Sequence, residues 1–122
     1  MEFRRIINTN FPDNWSDKDK IEYLQRRIII SSIIYYELDN NIIEDKEFDR
    51  VSQLLVQIQN SYGNINNTQY GYCMYDFDGT TGFHLYDRLT DNDKGRLTAY
   101  AVNEIKINTK GEKHEKFKSN RK

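Results

Sequence analysis

The sequence lacks most of the features that would assign it to a chemistry at once. Cys73 is its only cysteine, which excludes an intramolecular disulfide and any site built from several thiolates. A lone cysteine also suits a reducing compartment. There is a single proline, Pro12, and only six glycines in 122 residues. No apolar run approaches the roughly 18 residues of a membrane span; the longest, Ile28-Ile29-Ile30-Ser31-Ser32-Ile33-Ile34, is far shorter. Met1-Glu2-Phe3-Arg4-Arg5 is not followed by the apolar core of a signal peptide. The net charge is −1, so no global field draws in nucleic acid. His84 and His114 stand far apart with no third ligand at a metal-binding spacing.

What is present is aromatic and isoleucine-rich. Hydrophobic residues make up 37% and charged residues 30%, and the mean hydropathy is −0.89. Taken alone these values would suit a disordered chain. Nine Tyr, six Phe and the scarcity of proline argue for a folded one, because disordered segments are poor in aromatics. The length suits one domain, which buries about two thirds of its unfolded surface and is modestly stable. Charge is unevenly spread. From Lys106 to Lys122 there are seven Lys or Arg against Glu112 and Glu115, so residues 1–105 carry the acidic excess. That end is expected to be a basic, flexible tail (106–122) following one domain over 1–105. The many Ile and Asn residues, read from AT-rich codons, point to an AT-rich bacterium or one of its mobile elements.

Periodicity suggests the elements. Ser16 with Asp19 has the form of a helix start, a hydroxyl cap with an acid three residues on. Ile21, Leu24, Ile28 and Tyr35 form one stripe, flanked by Ile29, Ile33 and Tyr36. Asp39-Asn40-Asn41 breaks the helix by turn chemistry. Asp45 is expected to cap a second helix over about 46–61, with Phe48, Val51, Leu55, Ile58 and Tyr62 on its apolar stripe and Gly63 as its left-handed stop. Tyr70 to Phe77 alternates like a strand, Asp78-Gly79-Thr80-Thr81-Gly82 like a turn, and Phe83 to Arg88 like the returning strand. Thr90 with Asp93 opens a third helix, its stripe Leu97, Ala101 and Ile105. The expected fold is therefore α+β: an antiparallel helical hairpin (16–62), then a β-hairpin with a helix (69–105). A two-stranded sheet is marginal alone, so it should lie on the helices or pair with a second copy, which makes a homo-oligomer plausible.

Two motifs carry chemistry. Asp76-Phe77-Asp78-Gly79-Thr80 matches the first motif of haloacid-dehalogenase-type phosphatases, in which a strand-end Asp attacks phosphate. The doubly wound sheet, downstream Lys and further acids of that fold do not follow, and turns favour the same residues. The second motif runs Tyr35-Tyr36-Glu37-Leu38-Asp39-Asn40-Asn41-Ile42-Ile43-Glu44-Asp45-Lys46-Glu47-Phe48-Asp49. This block, within residues 18–62, resembles the N-terminal helical subdomain of NAD-dependent bacterial DNA ligases: a Tyr pair, a short Asp turn, and an Ile-x-Asp-x-Glu-aromatic-Asp opening of the next helix. Phe48 replaces the family's Tyr, and Asn41 its turn Pro.

The resemblance implies recognition of the nicotinamide mononucleotide (NMN) half of NAD by Tyr35, Tyr36, Asp45, Phe48 and Asp49. A flat cationic ring suits an aromatic face, and carboxylates suit both that ring and ribose hydroxyls. On the residues alone, Tyr35 and Phe48 read as core, Asp45 as a cap and Asp49 as a solvated acid. The ligase family's Lys-x-Asp-Gly nucleophile is missing, so the chain is expected not to be a ligase or any other enzyme. The composite resembles small bacteriophage proteins in which such a hairpin stands alone.

The third feature is the aromatic segment Tyr70, Tyr72, Tyr75 and Tyr86 with Arg88, a composition typical of interfaces. Two functions are therefore expected. One is a non-enzymatic phage-type inhibitor in the bacterial host cytoplasm, needing no cofactor and binding a host macromolecule, a protein such as a CRISPR or other defence nuclease rather than nucleic acid or membrane. The other is a binder of NAD or NMN through the ligase-like hairpin.

Overall fold

The computed structural model describes residues 6–120, with side chains over 6–108. Among the described residues there are five α-helices and no strand: α1 (Asp17–Ser32), α2 (Asp45–Tyr62), α3 (Gly71–Met74), α4 (Leu85–Arg88) and α5 (Asp91–Asn120). A π turn (Ile33–Glu37) extends α1, and a 3₁₀ turn (Ile65–Asn67) follows α2.

Helix α1 is the centre of the molecule, touching α2, α4 and α5. Its start is a reciprocal capping box: Asp19 N–H donates to Ser16 Oγ at 3.1 Å, and Ser16 N–H to Asp19 Oδ2 at 3.0 Å. Ile21, Leu24, Ile28, Ile29 and Ile33 are fully buried. A β-branched run costs helix propensity by about 0.5 kcal/mol per residue; burying an isoleucine offsets that several times over. Helix α2 lies antiparallel to α1 and ends at Gly63, whose φ of +84° gives the expected left-handed stop. Its start differs from expectation. Glu44 is the N-cap, with no side-chain capping bond, and Asp45 is the first helical residue. Val51 and Leu55 are buried, while Phe48, Ile58 and Tyr62 are half-buried.

A polar cluster under the α2–α3 connection holds the second half against the first. Gln25, fully buried on α1, donates from Nε2 to Thr68 Oγ1 at 2.8 Å and Gln59 Oε1 at 3.3 Å, and its Oε1 accepts the Tyr70 N–H at 3.2 Å.

The expected β-hairpin is absent. Tyr70, Cys73, Met74, Leu85 and Leu89 are the buried hydrophobic positions of that stretch, with Phe77 half-buried. The steps 70–73–74–77 are helical, not alternating. Tyr72 and Tyr75, which gave the segment its apparent strand character, face outward as the polar ends of exposed rings. A lone two-stranded sheet has no third strand to pair with, whereas two single-turn helices bury Met74 and Leu85 in the core, and the Cys73 carbonyl accepts from Arg88. The α+β expectation is thus replaced by an all-helical fold.

Thr90 opens α5 as expected, accepting the Asp93 N–H at 3.2 Å. The reciprocal bond is different: Thr90 N–H donates to the Tyr72 hydroxyl, and the Asp93 carboxylate takes Tyr72 and Arg96. Leu97 and Ala101 are buried and Ile105 partly so. The helix continues through the basic segment, expected as a tail from 106, as far as Asn120; Arg121 and Lys122 lie outside the described residues.

The N-terminal segment is pinned by Glu47. Its carboxylate accepts the Ile7 N–H at 2.8 Å and two bonds from Arg50, which itself donates to the Ile7 carbonyl. The Arg50 hydrogen bonds, with help from the Ile7 amide, hold the Glu47 carboxyl below the ordinary carboxylate range against the opposing effect of burial. A depressed folded-state pKa stabilises at neutral pH and is lost as pH falls through the folded value. Glu47→Gln is therefore expected to be less stable at pH 7 and to lose less on acidification from about pH 6 to 3. Urea melts of both proteins across that range check this; parallel curves would refute it.

Candidate functional site

The π turn decides where the tyrosine pair points. Leu38 N–H donates to the Ile33 carbonyl five residues back, so the turn holds one residue more than an α turn. Ile33 and Ile34 stay buried, and Tyr35 and Tyr36 swing outward to 53% and 41% exposure. The reading of Tyr35 as a core residue on the helix stripe is corrected here, and Tyr36, expected beside that stripe, is exposed as well. Asp39 follows in a left-handed conformation, φ +49°, and returns the chain to α2.

Between this turn and the start of α2 lies a cleft of about 300 Å³. Tyr35, Tyr36, Asp45, Phe48 and Asp49 all line it. The two tyrosine rings meet edge-on with centroids 4.9 Å apart. Asp45 and Asp49 sit one turn apart on the same face of α2, with Phe48 between them. Ser31, Ser32, Ile34, the Asn40–Ile43 connection, Thr80 and Thr81 complete the lining. Among the described residues lining the cleft there are two carboxylates and no Lys, Arg or His. The arrangement offers aromatic faces, acids and hydroxyls to a small ligand; 300 Å³ is at the lower end of small-molecule sites.

Thr80 and Thr81 were not expected in this site, since their segment reads as the turn of a hairpin. The usable signal was the pair of glycines, Gly79 and Gly82, bracketing them. Tyr36 is tied to this segment by its hydroxyl, 3.1 Å from Thr81 Oγ1, and by its ring against Phe83 at 5.3 Å.

The Asp76–Asp78 motif borders a smaller cleft of about 170 Å³, shared with Thr80 and Thr81 on one side and His84 and Arg88 on the other. Its acids are committed locally. Arg88 binds both oxygens of Asp76, and the Thr80 hydroxyl and amide both donate to Asp78. Those bonds hold both carboxyls below the ordinary range. No strand precedes the motif, so its phosphatase context is missing.

The aromatic interface residues separate. Tyr70 is fully buried, its hydroxyl accepting from Arg96 at 2.8 Å, and it cannot meet a partner. Tyr86 is half-buried beneath Lys94. Tyr72 and Tyr75 are exposed, and the Arg88 guanidinium lies 4.8 Å from the Tyr75 ring centroid. Cys73 is buried, and burial pushes its thiol up to about 12, so it is an inert packing residue. Among the described residues no cluster of His, Cys, Asp or Glu could hold a metal ion, and no helix is long and apolar enough to cross a membrane. Set against known proteins, the chain matches no family model, and neither a curated protein nor a solved structure shows significant similarity to it.

Proposed function

We propose that the cleft beside α2 binds a small ligand with a flat cationic ring and a sugar, of the kind presented by the NMN half of NAD. The observation that supports this reading is the convergence of Tyr35, Tyr36, Asp45, Phe48 and Asp49 on one 300 Å³ cleft. Their side chains suit such a ligand: the ring faces meet the cation, and the carboxylates of Asp45 and Asp49 meet ring charge and ribose hydroxyls. In this reading the protein is a binder, not an enzyme.

Thermal melting at fixed protein concentration tests it. NAD and NMN at millimolar concentration are expected to raise Tm, and AMP and ADP-ribose to leave it unchanged. A ligand at about 100 times its Kd adds roughly 2.7 kcal/mol, a shift on the order of 10 °C for a chain this size. Asp45→Ala with Asp49→Ala should abolish the shift. No response to NAD or NMN would overturn the reading.

A second reading is favoured by a different observation. Tyr72, Tyr75 and Phe83 stand 43%, 55% and 58% exposed, and exposed aromatic rings are enriched at protein interfaces. That surface suits contact with a host protein by a phage-type inhibitor, and it remains if no ligand shifts Tm.

A further inference from the structure

The cleft has two walls of different origin. The helical hairpin supplies one. The other is Thr80 and Thr81, carried on the segment Asp78–Gly82, whose glycines pack against side chains of both helices. A Cβ on Gly82 would fall 1.9 Å from Ser32 Oγ of α1. Gly79, at φ +90°, would place a Cβ 2.7 Å from Gln53 Nε2 of α2. The tight contact at Gly82 and the left-handed backbone at Gly79 each call for glycine. Between them, Thr80 and Thr81 reach the cleft. Thr81 Oγ1 accepts the Phe83 N–H and pairs with the Tyr36 hydroxyl, fixing that ring at the mouth. The Thr80 hydroxyl donates to Asp78, which leaves its oxygen able to accept from a ligand hydroxyl.

Charge then restricts what fits. Asp45 and Asp49 face the cleft with no basic side chain among its described lining residues. The partial positive charge at the start of α2 is already answered by Asp45 and Glu47 in its first turn. A phosphate, carrying about −2, would be repelled by both carboxylates; an aromatic cation would be attracted by them and by the ring faces.

We propose that the Asp78–Gly82 segment completes the cleft as a site for a hydroxyl-bearing aromatic cation, one that binds a pyridinium nucleoside and, more weakly, its nucleotide. This rests on the ligand-binding reading above and goes further, naming the ligand class and the second wall. Thr80 accepts a sugar hydroxyl, and Thr81 is a positioning residue acting through Tyr36.

Isothermal titration of the full chain with nicotinamide riboside, NMN and 1-methylnicotinamide tests it. Nicotinamide riboside is expected to bind about tenfold more tightly than NMN at low salt. The gap should narrow at high ionic strength and nearly vanish in Asp45→Asn with Asp49→Asn. Thr80→Val should weaken the riboside about fivefold, as for one lost hydrogen bond, and leave 1-methylnicotinamide, which has no sugar, unchanged. Thr81→Val should weaken all three pyridinium ligands, and Thr81→Ser should restore them. NMN binding as tightly as the riboside would overturn the charge selection while the ligand-binding reading stands. Riboside binding indifferent to both valine substitutions would overturn the role of the second wall. Absence of binding by every pyridinium would overturn this proposal together with the reading beneath it.

Discussion

Replacing Gln25 with Leu is expected to lower the unfolding free energy by about 3 kcal/mol. Leucine keeps most of the volume of glutamine and suits its fully buried surroundings. What it removes is polar. The Tyr70 N–H and Gln59 Oε1 lose the partner that Gln25 provides, and Thr68 loses a donor. A buried group left without its partner costs about 1–3 kcal/mol, and two such groups outweigh the added apolar contact. Urea denaturation reads this as a lower midpoint at unchanged slope. A change under about 0.5 kcal/mol would mean the cluster is filled by water and stabilises little. The effect matters for the site as well. The cluster is one anchor of the chain between α2 and α3, and that chain leads to the segment carrying Thr80 and Thr81.

The second large effect is expected where α5 meets α1. Arg27 grips both oxygens of Glu104, with Nη2 to Oε1 at 2.7 Å and Nη1 to Oε2 the closer of the two bonds. Only 16% and 11% of these side chains is exposed. Arg27→Met takes the guanidinium from a mostly buried carboxylate and should cost about 2–3 kcal/mol, between the values for surface and fully buried pairs. Arg27→Met with Glu104→Met should recover much of that loss, because two packed apolar chains replace a desolvated pair. The coupling energy from the four unfolding experiments is the measurement. Additive losses would show that the two side chains stabilise the fold independently.

Features encoded in a few adjacent residues were legible in the sequence. The Ser16–Asp19 box, the Gly63 stop and the Thr90 start each depend on chemistry within four residues, and each is present. The grouping of Tyr35, Tyr36, Asp45, Phe48 and Asp49 comes from the ligase resemblance and not from spacing; taken residue by residue, Tyr35 and Phe48 read as core, and their place beside one cleft depends on how the hairpin packs. Features set by tertiary competition were not legible. Tyr70 to Phe77 alternates in aromatic content but packs at helical steps, since Cys73 and Met74 are taken by the core and Tyr72 and Tyr75 are left outside. Tyr70 passed for an interface residue because its burial depends on Arg96 and Gln25, 26 and 45 residues away. The contribution of Thr80 and Thr81 depends on a close approach of backbone to two helices, which no local pattern announces.

The widened turn at Ile33–Glu37 has a consequence for how such a site can change over generations. An extra residue within one helical turn rotates everything after it by about 100° relative to an unbroken α-helix. The direction of the tyrosine pair is therefore a matter of residue count, not side-chain identity. Point substitutions can alter which rings are presented, but only an insertion or deletion can re-aim them. Removing a single residue would turn Tyr35 and Tyr36 about the helix axis and away from their present aim. A lineage using this cleft would tolerate changes of residue type across the turn more readily than any change in its length.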